Sequence, residues 1–572
     1  MNYLPRLARL LLSFLLALTA LPLVLLILAG GLGMLGSQLC PSGCAVLPDF
    51  LNALLNKPDD IGLSSVLASS LVSSALLSLS VLAVAVSLGA ALAWVTSQYE
   101  FAGRRWFEVL LITPLALPAY VAAYAWVELL AFEAPLASAL RTAGILTRFP
   151  DVRNVFGAAL ILGLSLTPYV YALARLAFAH QAARLGEVAA SLGLSHSAAL
   201  RRVYLPLAWP ALAAGASLVL MESLADYGVA AYMGVNTLTV TVYKTWFAGD
   251  QKLTAIALVL CLVIACASLL WLERRWRGHA AKFQPPLSTR ATLRQPLTAL
   301  ASAAAFSACA AVAALGFLIP TASLLWLWWR EGMPLNAGRL WPAIGNSLQL
   351  ATVGTACVLA LAGAALLTQR IHAHRAQKKR LLTLNPFMVT LNPFNPFNPF
   401  NPLIQLNQLG YAIPGVAVAL AILWPVVALD KAIAHWLGTD LLIAGSVVGV
   451  VLAYVIRFYA VGHHSMQQGL ARISPHIHDA AASLGASGWT TVKRVYAPLL
   501  RPSVLSAWVL VWIDCLKELP ATLMLRPFDT DTLPVLVFQF ISDERPAAAA
   551  LPGLLLVLVG LVPVLMLAKR GS

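Results

Sequence analysis

The sequence is poor in charge and lacks the motifs of the common enzyme classes. Only 11% of its 572 residues are charged, whereas 60% are hydrophobic, and the mean hydropathy is +0.81. It contains no GxxxxGK[ST] nucleotide-binding loop, no HExxH zinc motif and no GxSxG nucleophile motif. These absences argue against a soluble enzyme and predict an integral membrane protein without an ATPase or catalytic site of its own.

Cysteine is scarce and shows no metal-binding spacing. Most of the seven cysteines lie in apolar runs, where cysteine behaves as a small hydrophobic residue. Only Cys40 and Cys44 lie in a loop predicted to face outward, and the sequence leaves open whether they form a disulfide. We therefore predict no fixed metal site and no cofactor.

Positive charge is in excess but is spread over short loops. The net charge is +15 at pH 7, and the Lys and Arg residues lie mainly between apolar runs. Loops on the side of the two termini hold about twenty-five of them, against about eleven on the opposite side. The positive-inside rule therefore predicts cytoplasmic termini, and this distribution gives no reason to expect a nucleic-acid partner.

Apolar runs long enough to cross a membrane follow one another along the chain. A span needs about twenty apolar residues. On that rule the predicted spans are 10–35, 66–97, 107–130, 154–178, 208–232, 253–272, 299–326, 344–367, 409–430, 441–461, 503–523 and 549–568. The predicted fold is all-α and membrane-embedded, with about twelve transmembrane helices in two six-helix halves that lie parallel.

A basic, proline-containing stretch separates the two halves. The predicted parts are a first half at 1–272 with its core at 62–272, a cytoplasmic linker at 273–298, and a second half at 299–572 with its core at 344–568. Residues 385–402 form an Asn-Pro-Phe insert, in which proline at every third position prevents helix and strand. This insert either docks a partner or is a repeat expansion without a role, and we favour the second interpretation.

One stretch occurs in both halves. EVAASLGLSHSAALRRVYLPLAWPAL begins at Glu187 and DAAASLGASGWTTVKRVYAPLLRPSV begins at Asp479, with a constant offset of 292 residues. About a dozen of the twenty-six positions are identical without a gap, which indicates an internal duplication. Because glycine permits a sharp turn and proline is tolerated in the first turn of a helix, each copy predicts a helix, a turn, a second helix and the start of a span.

The two copies resemble the cytoplasmic EAA loop of ABC-importer permeases, the segment that seats in a groove of the ATPase. We place these coupling loops at 179–207 and 463–501. The resemblance implies ATPase-coupling roles for Glu187, Ala189, Ala190, Gly193, Asp479, Ala481, Ala482 and Gly485. Neither copy has the letters EAA, since the first opens with Glu-Val-Ala and the second with Asp-Ala-Ala.

Two acidic pairs follow the repeated stretch at the same offset. Glu222 and Asp226 lie four residues apart, as Asp514 and Glu518 do, so each pair shares a helix face. Carboxylates in a span often mark a transport path, and hard cations prefer oxygen ligands. The alternative is that these acids lie near the outer boundary, pair with Lys517 or cap backbone groups.

Nearly the whole chain, apart from the Asn-Pro-Phe insert, resembles the fused ferric iron permeases of ABC importers. The stretches LADYGVAAYMGVNTLTVTVYKTWFAGD and KELPATLMLRPF carry this resemblance. It implies a type I permease in a bacterial inner membrane, in contact with lipid, an ATPase dimer in the cytoplasm and a periplasmic iron-binding protein. Two alternatives are a thiamine or other small-solute ABC permease and, from a different class, a gradient-driven secondary transporter.

Overall fold

In the computed structural model of the protein, long apolar helices dominate. The structure describes Thr19 and residues 63–131, 134–144, 151–191, 196–249, 252–280, 294–332, 337–382, 407, 409–437, 445–471, 473–474, 476–484 and 488–571. The predicted first span at 10–35, the loop with Cys40 and Cys44, and the Asn-Pro-Phe insert lie outside these residues.

The first half contains ten described α-helices. They are α1 (Leu63–Gln98), α2 (Arg104–Leu110), α3 (Ala119–Leu130), α4 (Pro135–Thr142), α5 (Val155–Ser191), α6 (His196–Ala199), α7 (Leu205–Ala225), α8 (Gly228–Tyr232), α9 (Leu238–Phe247) and α10 (Lys252–Ala280). A π-helical turn, Leu200–Tyr204, joins α6 to α7. The final helix, α10, extends into the predicted linker.

The second half contains eleven described α-helices. They are α11 (Ala299–Ala313), α12 (Ile319–Arg330), α13 (Ala337–Leu382), α14 (Gly415–Leu437), α15 (Val447–Ala471), α16 (His476–Ser483), α17 (Gly488–Thr491), α18 (Ala497–Lys517), α19 (Pro520–Leu525), α20 (Leu533–Ser542) and α21 (Pro546–Gly571). Two π-helical turns, Ala314–Leu318 and Val492–Tyr496, join α11 to α12 and α17 to α18.

The described residues confirm an all-α membrane fold. Eight helical stretches are long and apolar enough to cross a membrane, or nine if the bent pair α2 and α3 is one span. Two further predicted spans, 253–272 and 409–430, correspond to shorter apolar helices, Thr254–Leu269 and Gly415–Val427.

The predicted span 107–130 is wrong as a single helix. The chain bends by 94° between a stretch ending at Ala116 and α3. Leu117 has extended backbone angles, φ −96° and ψ 117°, which suit a residue before proline, and Pro118 then precedes the first turn of α3. A proline at this position therefore separates two short helices, which the hydropathy pattern merges into one span.

The bounds of the helices repeat along the chain. The succession of α6, π turn and α7 returns as α17, π turn and α18, and every boundary is displaced by 292 residues. Pro206 and Pro498 lie in the first turns of α7 and α18, where the missing N–H is tolerated. The duplication seen in the letters is therefore also present in the backbone.

The described helices form two compact units. One unit comprises Met34–Ala343 and Leu533–Ser572, and the other comprises Met1–Gly33 and Ile344–Thr532. In the first of these, α1 packs along α5, and α12 packs against α21. In the second, α15 packs against α18, and α14 packs against α19.

A short β-ladder binds part of the predicted linker to the first half. Strand β1 (Tyr99–Glu100) pairs in parallel with β2 (Gln295–Pro296), and the Leu297 amide donates to the Glu100 carbonyl at 3.3 Å. Since Tyr99 directly follows α1, the end of the linker is fixed to the end of that helix.

Candidate functional site

The first coupling loop begins as a continuation of α5. That helix runs unbroken from Val155 to Ser191, so the backbone of Glu187, Ala189 and Ala190 lies in its last turns. Gly193 lies outside the described residues, and the chain is described again from α6. The two predicted helices of this loop are therefore present, and the first is the end of a long membrane helix.

The second coupling loop has a separate helix. Helix α15 ends at Ala471, and Asp479, Ala481 and Ala482 belong to α16, which begins at His476. Ala481 is buried. Gly485 lies outside the described residues.

Aromatic side chains hold the two ends of the first coupling loop together. The Trp94 ring of α1 lies edge-on to the Phe178 ring of α5, with centroids 5.3 Å apart, and to the Tyr204 ring, with centroids 4.9 Å apart. Phe178 precedes the loop and Tyr204 lies near its end. Edge-to-face aromatic pairs add to the stability of such contacts, so Trp94 fixes where the loop leaves and rejoins the helices.

A buried ion cluster connects α2, which we call the elbow helix because it leads to the bend at Pro118, to α5. Glu108 forms ion pairs with Arg104, on its own helix, and with Arg175 of α5, where Oε2 lies 2.8 Å from Nη2. The Arg104 side chain is 5% exposed and also lies 3.0 Å from a carboxylate oxygen of Glu100. Because a buried charge is tolerated only when it is paired, these residues must fold together.

In the first acidic pair, Asp226 ends one helix and begins another. It has extended backbone angles, φ −67° and ψ 129°, directly after α7. Its Oδ2 accepts a hydrogen bond from the Ala230 amide at 3.0 Å, and its carbonyl accepts from the Thr239 hydroxyl at 2.6 Å. Glu222 lies one turn earlier on α7 and is half-buried. The predicted span 208–232 therefore ends seven residues too late (232 − 225), because Asp226 caps α8 and interrupts the helix.

In the second acidic pair, Glu518 is enclosed by partners. Its Oε1 lies 2.7 Å from Nη1 of Arg457, and its side chain is 1% exposed. The carboxylate also accepts bonds from the amides of Ala521 and Thr522, at 3.0 and 2.9 Å, and from the Thr522 hydroxyl at 2.8 Å. The same hydroxyl lies 2.8 Å from that of Tyr454. Glu518 therefore caps α19 and anchors it to α15, and for the same reason the predicted span 503–523 is too long.

A glycine makes room for this ion pair. A Cβ atom on Gly415, the first residue of α14, would lie 2.6 Å from Oε1 of Glu518 and closer still to Nη1 of Arg457. Real Cβ atoms essentially never approach other atoms this closely. The position corresponds to Ala119 of α3, since each follows a proline in the same sequence context.

The ion pair is absent from the equivalent positions of the first half. At the offset of 292, Tyr454 and Arg457 correspond to Leu162 and Ser165, which are apolar or uncharged, while Glu518 corresponds to Asp226. Lys517, which lies within electrostatic reach of Asp514, likewise corresponds to an alanine. The two acidic pairs therefore occupy equivalent positions but different electrostatic surroundings.

Sequence reasoning selected the four acids and named Lys517 and backbone groups as possible partners, but it missed Arg457 as the partner of Glu518. Arg457 was detectable as an arginine within the apolar stretch Val447–Leu470, which is a functional signal by itself. Of the two roles predicted for the acids, capping of backbone groups is now described for Asp226 and Glu518, and the transport-path role stays a prediction. Among the described residues, no group of three or more His, Cys, Asp or Glu side chains is placed to hold a metal ion.

Comparison with known proteins identifies the family. Residues 83–277 match the family described as binding-protein-dependent transport system inner membrane component. The chain is 24% identical to the Fe(3+)-transport system permease protein FbpB 2 of Haemophilus influenzae over 494 residues, which cover 85% of this chain and 86% of that protein.

Two permeases named for other solutes are similar over shorter stretches. A probable molybdenum ABC transporter permease protein of Haloferax volcanii is 31% identical over 190 residues, which cover 33% of this chain and 68% of that protein. A putative 2-aminoethylphosphonate transport system permease protein of Salmonella typhimurium is 36% identical over 156 residues, which cover 27% of this chain and 54% of that protein. With its apolar helices and duplicated loop, this chain therefore belongs to the inner-membrane components of binding-protein-dependent transport systems, the permease subunits of ABC transporters.

Proposed function

We propose that this chain is the permease of an ATP-driven importer for ferric iron. The observation that carries the proposal is the likeness to the Fe(3+)-transport permease, because it extends through both halves and 86% of that relative. The likenesses to the molybdenum and phosphonate permeases cover 33% and 27% of this chain. A shared stretch of that size fits a common coupling machinery, whereas similarity across both halves also includes the segments that meet the solute.

The proposed partners are an ATPase dimer in the cytoplasm and a soluble iron-binding protein on the outer side. The chain has no nucleotide-binding loop, so a second subunit must hydrolyse ATP. Residues Glu187 to Gly193 and Asp479 to Gly485 are proposed to seat in the two ATPase grooves. Support comes from the short helices α6, α16 and α17, which lie within the two coupling loops.

Of the four acids in the predicted path, Glu222, Asp226 and Asp514 are proposed to supply negative potential to the cation. Glu222, Asp226 and Asp514 are half-buried, so they remain partly accessible to a passing ion. Glu518 is fully bonded within the protein, so we assign it the role of holding α19 in place beside the path. A passing cation needs oxygen ligands that bind it weakly.

Transport by the reconstituted system tests the solute. The full chain is placed in liposomes with its ATPase and binding protein, and uptake of radioactive iron is measured with and without ATP. We expect ATP-dependent uptake of ferric iron and none of thiamine, molybdate or 2-aminoethylphosphonate. Uptake of one of these solutes in place of iron would refute the choice of substrate, and uptake driven by an ion gradient without ATP would refute the ABC mechanism.

The orientation is tested by cysteine labelling in intact cells. With cytoplasmic termini, an impermeant reagent should reach single cysteines placed in 131–150 and 526–546 but not in 190–200 or 378–400. Labelling within the coupling loop at 190–200 would contradict the proposed topology. Permeabilised cells provide the control that each cysteine is reactive.

A further inference from the structure

The two coupling loops are joined to their membrane helices in different ways. In the first half, the apolar part of α5 is Val155–Ala179, and the same helix continues to Ser191. The twelve additional residues (191 − 179) extend the helix by about 18 Å at 1.5 Å per residue. An unbroken helix therefore runs from the membrane into the first coupling loop.

In the second half, the corresponding junction is interrupted. Helix α15 ends at Ala471 and α16 begins at His476. The sequence reason is Ser474-Pro475, because proline lacks an N–H donor and disfavours helical angles in the residue before it. At the offset of 292 the first half has Ala182-Ala183, two residues that favour helix.

The interruption is held by a specific contact. Nη2 of Arg370, on α13, donates to the carbonyl oxygen of Ile473 at 3.0 Å. The Ile473 amide donates to Leu470 at 3.1 Å, and the Ile477 amide donates to Ser474 at 3.2 Å, so a tight turn replaces the continuous helix. Arg370 thereby binds the backbone of the turn itself, two residues after the end of α15.

The continuous helix of the first half is also tied to its neighbours. Arg175 of α5 pairs with Glu108 of α2, and the Tyr171 hydroxyl lies 3.2 Å from that of Thr96. The Gln98 amide group donates to the Phe178 carbonyl at 3.3 Å. Displacement of the loop end of α5 therefore acts directly on α1 and on the elbow that leads to the bend at Pro118.

From these junctions we infer that the two coupling loops transmit motion unequally. The first coupling loop moves as one body with α5, so movement of the ATPase is transmitted directly into the membrane. In the second half, Arg370 and Pro475 are positioning residues that let α16 reorient without rotating α15. This inference rests on the proposed ATPase coupling, because it concerns how that coupling is distributed between the halves.

Matched proline substitutions test the inference. Ala182→Pro and Ser474→Pro place the same residue at equivalent positions of the two halves, and each variant is measured in the complete importer. The readout is iron transported per ATP hydrolysed, normalised to inserted protein, since a loss of folded protein lowers both activities together and leaves their ratio unchanged. Ala182→Pro should lower this ratio several-fold, because it breaks a continuous helix, whereas Ser474→Pro should leave it near that of the unmodified protein.

Each outcome decides the question. Equal ratios in the two proline variants, whether normal or reduced, would overturn the unequal transmission. If Ala182→Pro fails to insert, the pair Ala182→Gly with Ala183→Gly replaces it, and its matched control is Ser474→Gly. Arg370→Gln should lower the ratio as well, and a normal ratio in this variant would remove Arg370 from the inference. Failure of the proposed function is separate, since the unmodified importer would then show no ATP-dependent iron uptake.

Discussion

Replacing Gly415 by alanine should break the ion pair between Arg457 and Glu518. The new Cβ atom would lie 2.6 Å from Oε1 of Glu518 and 3.0 Å from Cγ of Pro520, and closer still to the Arg457 guanidinium. The carboxylate of Glu518 cannot simply withdraw, because it is held by two backbone amides and a hydroxyl group at the start of α19. The guanidinium must therefore move away from its carboxylate.

The expected cost follows from the burial of the pair. Overpacking alone costs about 1–3 kcal/mol, and separating the partners of a buried ion pair costs about 3–5 kcal/mol. We therefore expect Gly415→Ala to lower the free energy of unfolding by about 3 kcal/mol or more. Gly345→Ala is the matched control, because Gly345 is also helical and its Cβ would meet nothing within 4 Å, so that change should be neutral or stabilising.

A second substitution should recover part of the loss. Gly415→Ala together with Arg457→Ser reproduces the first-half combination of Ala119 and Ser165, in which Asp226 caps α8. The double variant should lose less melting temperature than the two single variants lose together. The methyl group fills space that the guanidinium has left, and Glu518 keeps its three hydrogen bonds to α19.

Thermal melting of the purified protein in detergent measures all four variants. If Gly415→Ala melts with the unmodified protein, or if the double variant shows strictly additive losses, then the glycine does not serve the ion pair.

Three further predictions concern coupling, the path and the elbow. Gly193→Val with Gly485→Val should preserve insertion but uncouple ATP hydrolysis from uptake, because a β-branched residue strains a sharp turn; normal uptake with normal ATPase stimulation would contradict this. Glu222→Gln with Asp514→Asn should reduce iron uptake per inserted protein, and unchanged uptake would remove both acids from the path. Glu108→Gln should lower the melting temperature, because it removes an ion pair from both Arg175 and Arg104, of which Arg104 keeps only Glu100; if Glu108→Gln melts at the native temperature, the cluster contributes nothing to stability.

The sequence predicted the repeated features well and the tertiary pairings poorly. The offset between Glu187 and Asp479 anticipated the matching bounds of α7 and α18, since local sequence decides where helices start. The ends of those helices were misplaced, because hydropathy does not register that Asp226 and Glu518 cap the helices that follow. Arg457 and Glu518 lie 61 residues apart, and no local pattern indicates that such residues meet. Helix α5 continues to Ser191, whereas α15 ends earlier in its repeat, at Ala471. The sequence contains the signal for this difference, because Pro475 has no counterpart in the first half.

The way in which the helices are divided between the two compact units has a consequence for biosynthesis. Helices α20 and α21, near the end of the chain, pack within the same unit as the helices of the first half. Phe538 of α20 lies 5.6 Å from Tyr227, between ring centroids, and a Cβ on Gly553 of α21 would lie 3.2 Å from Val121 of α3. Since membrane helices are synthesised and inserted in chain order, the first unit remains incomplete in the bilayer until these last helices arrive. A chain interrupted after Thr532 would expose the packing faces of α12 and α3 to lipid or to quality-control proteases, so the order of synthesis makes the two halves dependent on one another from the start.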